Sequence, residues 1–481
     1  MYSQPHNIDC EQQVLGGLLH QNGLLNALAD VPPEAFFDPV HGQIYASIRN
    51  RVEDGGVADA TTLRFEFQDH DGLTKLGGAE YLLRLQTSAV ATSMMPDYVK
   101  ELMALFARRT AMEALHVGLD KLERYEPDMN AETVLSDVEA RVSEAIGTVQ
   151  HKPLSRSFLA GMTGAVDQIN AAHHCGAPVG VSTGLRQLDG QIGNMGAGEY
   201  LVLAGRPSMG KSALALNVAL KAAQRGEGVF FASLEMFDEQ LAMRSFSQIL
   251  AEKGQSVPYF NMRRGDLTDG QFEGVLRTAH DMTDLPIQTC DPSCRSLPRL
   301  RAALNDGARR LRAQGAEMKL IVVDYLQLID PVGRYRSGDT NARVSASSAA
   351  MKAMAGHYGC PVMCLSQLSR QVEMRDPPVP ILSDLRDSGA IEQDADTVIF
   401  CYRPEYYAQK RIDAAKGAGK GPGDVADLEA AIAGQRNQMK LIVAKQRTGP
   451  TGTVTVHCEI EKNVVRDLGD DPAQAMMEGF R

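Results

Sequence analysis

The chain has 481 residues, too many for one ordinary hydrophobic core, so two domains joined by a linker are expected. Its composition, 44% hydrophobic and 23% charged, is that of a globular protein, and no apolar run reaches the roughly 18–20 residues that span a bilayer. The net charge of −11 is unevenly spread: residues 1–150 hold 11 Lys+Arg against 23 Asp+Glu, whereas the remainder holds 38 against 37, so charge neither requires nor excludes a nucleic-acid partner.

Met1 to Cys10 has no basic flank leading into an apolar stretch, so no secretory signal is expected and the cytoplasm is the expected compartment. Residues 8–148 read as helices throughout. Val14, Leu15, Leu18 and Leu19 recur at helical spacing, as do Leu102, Leu105 and Phe106, then Met112 and Leu115. Val31-Pro32-Pro33, Asp54-Gly55-Gly56 and Gly77-Gly78 punctuate the run. An all-helical domain over 1–150 with an acidic surface follows, and nothing in it looks catalytic.

Residues 151–180 form a linker. Ser157 to Cys175 reads as one helix, with Phe158, Met162, Val166 and Ile169 on a single apolar stripe. A lone short helix is marginal in water, so this stripe is expected to dock, on its own domain or on a neighbouring subunit.

From 181 to 481 strands alternate with helices, the pattern of a mostly parallel α/β sheet with crossover helices. The expected strands are Tyr200–Ala204, Val229–Ser233, Lys319–Asp324, Val362–Ser366, Thr397–Tyr402 and Lys440–Lys445, with a late hairpin of Thr453–Ile460 and Lys462–Asp467. Most are unbroken apolar runs, as expected where a sheet is covered on both faces. Residues 408–438, rich in Gly, Ala and charge, read as a mobile insertion followed by a short helix. Cys290 and Cys294, like Cys360 and Cys364, are spaced C-x3-C, which matches no structural zinc site.

Gly205-Arg206-Pro207-Ser208-Met209-Gly210-Lys211-Ser212 fits G-x4-G-K-[ST] between an apolar strand and a helix opening at Ala213, the context that makes it a P-loop. Ser208, Gly210, Lys211, Ser212 and Ala213 are therefore the expected ATP-binding residues. Backbone N–H groups and the helix N-terminus surround the phosphates, Lys211 reaches the β- and γ-phosphates, and the Ser212 hydroxyl ligates Mg²⁺. Leu320-Ile321-Val322-Val323-Asp324 is a buried strand delivering Asp324 to the Mg²⁺ shell. Glu235, at the end of a strand expected beside the P-loop strand, is placed to orient the attacking water. Gln367 ends another strand and can sense the γ-phosphate. Lys445 and Arg447 stand near the end of the last long strand, where they can face a neighbouring subunit's nucleotide as a finger in trans. Two loops can meet DNA: 331–343, with Arg334, Arg336 and Arg343, and 368–389, with Arg370, Arg375 and Leu385-Arg386-Asp387-Ser388-Gly389.

The strings FASLEM (231–236), IVVDYLQLI (321–329), LSQLSR (365–370), DLRDSGAIEQDAD (384–396) and AKQRTGPTG (444–452), in order behind the P-loop, resemble the DnaB-type replicative helicases along the whole chain. The resemblance implies a helical collar domain, a linker helix and a RecA-like ATPase domain. It also implies a homohexamer moving 5′ to 3′ on single-stranded DNA with ATP and Mg²⁺, with primase and a helicase loader as partners. Residue by residue, it carries over Lys211, Ser212 and Asp324 for phosphate and metal, Glu235 as catalytic glutamate and Gln367 as γ-phosphate sensor. Lys445 and Arg447 match the residues acting in trans, Arg244 a further nucleotide contact, and Arg386, Asp387 and Gly389 the DNA-binding loop. Ser212 stands for the commoner Thr, Asp387 for the usual Glu, and 408–438 is longer than the family pattern. No zinc ribbon or primase-like segment precedes the helical region, so a fused primase–helicase is not expected. The rival readings are a RecA-like strand-exchange recombinase, which would form an open filament, and a nucleotide-gated scaffold that recruits primase without unwinding.

Overall fold

The computed structural model describes residues 4–28, 31–68, 70–87, 94–124, 134–135, 137–138, 141–142, 145, 158–175, 179–331, 340–385, 389–417 and 434–469. By backbone contacts it divides into two compact units, Met1–Gly164 and Ala165–Arg481, the division falling inside the linker helix.

In the first unit the principal helices are Ile8–His20, Pro39–Glu53, Ala79–Thr87 and Met95–Glu123. Each of the first two is opened by a side chain that satisfies a free backbone donor: Asn7 accepts from the Cys10 N–H, and Asp38 from the Val40 N–H behind Pro39. Val14, Leu15, Leu18 and Leu19 are fully buried together with Ile44, Tyr45 and Leu82. This core also contains a carboxylate. Glu11 accepts from the backbone N–H of Phe37 at 2.6 Å and lies 2.7 Å from Nδ1 of His41, whose Nε2 meets the Tyr81 hydroxyl at 2.6 Å. Glu11, His41 and Tyr81 each have a partner, so this network is compatible with the core around it. In the long helix Met95–Glu123 the Leu115, Leu119 and Leu122 side chains are exposed.

The linker helix runs Phe158–Cys175, and its stripe of Phe158, Met162, Val166 and Ile169 is exposed in the single chain.

The second unit is built on one nine-stranded sheet. Its strands are β1 Tyr200–Gly205, β2 Gly228–Ser233, β3 Ile287–Cys290, β4 Met318–Asp324, β5 Val362–Gln367, β6 Thr397–Tyr402, β7 Gln438–Gln446, β8 Gly452–Glu459 and β9 Val464–Asp467, in the order β3-β2-β4-β5-β1-β6-β7-β8-β9. The first six in that order are parallel, and β7 to β9 add antiparallel neighbours. Side chains alternate between two cores. Leu201, Leu203, Val229, Phe231, Leu320 and Val322 belong to one, and Tyr200, Val202, Phe230, Ala232, Ile321 and Val323 to the other. Burial on both faces is why these strands read as unbroken apolar runs. Close packing of a crossover helix is visible at Gly307, where a Cβ would lie 2.4 Å from the Phe230 ring.

Two sequence expectations change. β3, with only Cys290 fully buried, has no apolar run and was not expected. Residues 408–417, expected to open a mobile insertion, belong instead to the helix Pro404–Gly417, where Tyr407, Ile412 and Ala415 supply a buried face; residues 418–433, toward which the short helix was expected, lie outside the described residues.

Candidate nucleotide site

The expected chemistry gathers at the C-terminal edge of the parallel strands. Gly205, the last residue of β1, is in register with Gln367, the last residue of β5. Ser233 at the end of β2 is in register with Asp324 at the end of β4, and the Leu234 N–H donates to the Asp324 carbonyl at 2.9 Å. Glu235 follows directly. Sequence reasoning put β2 beside the P-loop strand; in the sheet β4 and β5 stand between them. Crossover helices let a parallel strand enter at either side, so chain order does not give adjacency.

The P-loop turns through left-handed backbone at Ser208, φ 65°, and at Gly210, φ 89°. At Gly210 a side chain would be strained, and its Cβ would lie 2.8 Å from Cδ1 of Ile460. The helix Lys211–Gln224 starts there, with its free N–H groups at the loop. The Lys211 ammonium donates to the Gly205 carbonyl at 2.8 Å and the Arg206 carbonyl at 3.3 Å. Burial holds its pKa below the usual lysine range, opposed by the negative charges of Asp324 and Glu235.

Asp324 is 2% exposed. Burial raises its pKa, against a hydrogen bond from the Ser212 side chain and the attraction of Lys211 and Arg244. Its Oδ2 has no hydrogen-bond partner. A buried carboxylate oxygen with nothing to accept from, beside a hydroxyl and a lysine, is a donor set that fits a magnesium–triphosphate. Arg244 lies over the Tyr259 ring, 5.3 Å from its centroid, and its Nε also lacks a partner.

Two residues that sequence reasoning did not single out position these groups. Gln327 reaches from the turn after β4 to the end of β5: its Nε2 donates to the Ser366 hydroxyl at 2.9 Å and the Gln367 carbonyl at 3.3 Å, and its Oε1 accepts from the Gln367 N–H at 3.3 Å. Arg295 donates twice to the Leu234 carbonyl, at 3.1 and 3.0 Å, fixing the bond that leads into Glu235. A polar residue among apolar ones in YLQLI was the only signal for Gln327; Arg295 had none.

Lys445 and Arg447 are not brought to this chain's own P-loop. Lys445 lies inside β7 and donates to the carbonyls of Glu392 and of Ala395, the latter at 2.7 Å. Burial, with Arg447 nearby, lowers its pKa. Arg447 pairs with Asp396 at 3.1 Å and donates to the Gln393 carbonyl at 2.6 Å. Both cations thus grip the end of the helix Gly389–Asp394, whose first residue is the expected DNA contact Gly389. Arg386 and Asp387 lie outside the described residues, as do Arg334 and Arg336. Arg343 is on the helix Thr340–Tyr358 and pairs with Asp330, and Arg375 pairs with Asp384, so these two are engaged within the chain.

Comparison with known proteins gives one consistent result. A family model described as "DnaB-like helicase C terminal domain" matches residues 180–466, and one described as "DnaB-like helicase N terminal domain" matches residues 3–104. The "Replicative DNA helicase DnaB" of Rickettsia felis is 34% identical over 94% of this chain and 91% of its own length. The protein of the same name from Geobacillus stearothermophilus is 32% identical over 94% and 92%. Among solved structures, "The Structure Of A DnaB-Like Replicative Helicase And Its Interactions With Primase" aligns with a TM-score of 0.62 at 25% identity, covering 96% of this chain and all of that one. No helix among the described residues is long and apolar enough to cross a membrane.

Proposed function

The chain belongs to the DnaB-like helicase family and is an ATP-dependent replicative DNA helicase, and from that premise we propose how its site works. The observation that supports the mechanism is the registration of Gly205 with Gln367, which sets the P-loop strand end beside the residue we assign as γ-phosphate sensor.

ATP binds along the P-loop, with Lys211 leaving the Gly205 and Arg206 carbonyls for the phosphates and backbone N–H groups of Ser208, Gly210 and Ala213 completing the cradle. Ser212 and Asp324 are the residues that would hold Mg²⁺, which when bound supplies charge neutralisation at the β- and γ-phosphates. Arg244 adds positive charge on the Asp324 side. Glu235, held by Arg295 through the Leu234 carbonyl, orients a water and takes its proton. The water oxygen forms the new bond to the γ-phosphorus, the bond from that phosphorus to the β–γ bridging oxygen breaks, and the electron pair leaves with ADP.

The chain works as a homohexamer. Lys445 and Arg447 exchange their hold on residues 392–396 for a neighbour's γ-phosphate, so hydrolysis needs the adjoining subunit. Gln367 registers loss of the γ-phosphate, and the loop with Arg386, Asp387 and Gly389 shifts along single-stranded DNA, giving 5′ to 3′ movement that excludes the other strand. The exposed linker stripe docks on a neighbouring subunit, and the helical domain recruits primase, the partner named for the related structure. A helicase loader places the ring on DNA, and the cytoplasm is the compartment of the whole process. The rival recombinase and scaffold readings find no support in these relatives.

The decisive experiment pairs mass in solution with activity. With an ATP analogue the protein should weigh six copies, and with ATP it should unwind a 5′-tailed fork. Lys211→Ala should abolish both ATP turnover and unwinding. Full turnover by a stable monomer would sink the shared-site mechanism.

A further inference from the structure

Arg206, the second residue of the P-loop, reaches with its side chain into the segment that follows Gln367. Its Nη1 donates to the Leu368 carbonyl at 3.0 Å, and the Leu368 N–H donates back to the Gly205 carbonyl at 3.4 Å. Leu368 is therefore fastened to the first two residues of the P-loop by both of its backbone groups. The Arg206 Nε donates to Oε1 of Glu373 at 2.8 Å, in an ion pair with side chains only 11% and 31% exposed. The Arg206 hydrogen bond is the main reason the Glu373 carboxyl titrates below its usual range.

The segment beyond is closed on itself. Leu368 bridges to Leu385, and the Ser369 N–H donates to the Asp384 carbonyl at 2.9 Å. Inside, the buried Asp384 carboxylate accepts from the Ile381 N–H at 2.8 Å and pairs with Arg375. The helix Pro404–Gly417 braces the far side, with Lys410 on Glu373 at 3.4 Å and Arg411 on Asp376. Residues 368–385 thus form a stiff loop whose neck, Leu368 with Leu385, ends one residue before Arg386.

We propose that Arg206 and Glu373 form a clamp that carries the state of the phosphate pocket to the DNA loop of the same subunit, through the neck at Leu368 and Leu385. It is a route in cis, alongside Gln367 and separate from the trans contacts of Lys445 and Arg447. Arg206 and Glu373 are positioning residues: neither touches the reacting atoms, and their effect is on how strongly ATP and DNA report on one another. This rests on the helicase reading of the site given above.

The test uses the assembled full-length protein. Affinity for a fluorescent oligo-dT is measured with and without a non-hydrolysable ATP analogue, and the ratio of the two is the coupling. In Glu373→Ala, analogue affinity and DNA-free ATP turnover should stay within about twofold of wild type, while the ratio falls by about fivefold or more, the lower end of ordinary coupling strengths. Glu373→Gln, which keeps an acceptor for Arg206 but not the charge, should fall between. Lys410→Ala, which leaves the Arg206–Glu373 pair intact, should change the ratio less than about twofold, below that same range. A wild-type ratio retained in Glu373→Ala overturns the clamp and leaves the helicase reading standing. Equal loss of nucleotide affinity and of the ratio also overturns it, because that marks a residue that merely supports the pocket. A ratio of one in the wild type would instead strike the functional reading itself, and the clamp with it.

Discussion

Gln327→Leu tests the proposed sensor role of Gln367 apart from the rest of the nucleotide site. The substitution keeps side-chain bulk and removes one hydrogen bond at 2.9 Å and two at 3.3 Å. Neutral hydrogen bonds contribute about 1 kcal/mol net each, and the two long ones belong at the weak end, so about 1–2 kcal/mol is lost. Among the described residues the hydrogen bonds of Gln327 go to Ser366 and Gln367, not to the P-loop or Asp324, so ATP binding should not feel this loss; what loosens is the end of β5 that presents Gln367. With about 1.4 kcal/mol per tenfold in rate, kcat for DNA-stimulated ATP hydrolysis should fall roughly 5- to 30-fold with KM for ATP little changed. The assay is steady-state ATPase on single-stranded DNA, run beside thermal unfolding of the same variant. A full kcat with the energy appearing only as lower thermal stability would refute a positioning role, as would a change confined to KM.

Three further outcomes follow from the same geometry. Arg447→Ala should abolish hydrolysis while leaving most ATP binding, and its fold should be little affected, because Asp396 keeps Lys352 at 2.6 Å and the Tyr200 N–H at 2.8 Å; unchanged turnover would remove the finger in trans. Burial raises the Asp324 pKa, so as pH falls it takes up a proton, and Mg²⁺-dependent nucleotide binding should weaken, above the ordinary aspartate range. The same sign makes folding disfavour its ionised form: without ligand, stability declines as pH rises from the ordinary aspartate pKa to the raised one. Asp324→Asn should therefore abolish hydrolysis and not lower the thermal midpoint at neutral pH, whereas a clear drop would contradict this reading. Tyr45→Phe in the helical domain removes a buried hydroxyl that lies 3.0 Å from both the Leu28 and Val31 carbonyls, and should cost about 1–2 kcal/mol in urea unfolding; no change would show the carbonyls to be satisfied otherwise.

The identities of the chemical groups were legible in the sequence wherever local pattern fixes them. A P-loop needs only neighbouring residues, and a strand buried on both faces announces itself as an apolar run, so β1, β2, β4, β5 and β6 could be read with their terminal Gly205, Asp324 and Gln367. Glu235 was readable as a strand-end carboxylate but not as lying three strands from the P-loop. β3 escaped because an edge strand with one fully buried residue carries no hydrophobic period. The linker stripe was read correctly as a helix face, because helical spacing is local, whereas its partner is not written in that spacing.

What the sequence by itself determined is therefore the inventory: a helical domain, a phosphate loop, an acid on each of two strands, an amide on a third and two cations near the end of a fourth. Only the tertiary structure decided which of these meet and what holds them. Gln327 lies 39 residues from Ser366, Arg295 lies 61 from Leu234, and Arg206 lies 167 from Glu373. The physical reason is that side-chain patterns encode local conformation and burial, while contacts at those separations are set by the order in which crossover helices lay the strands side by side.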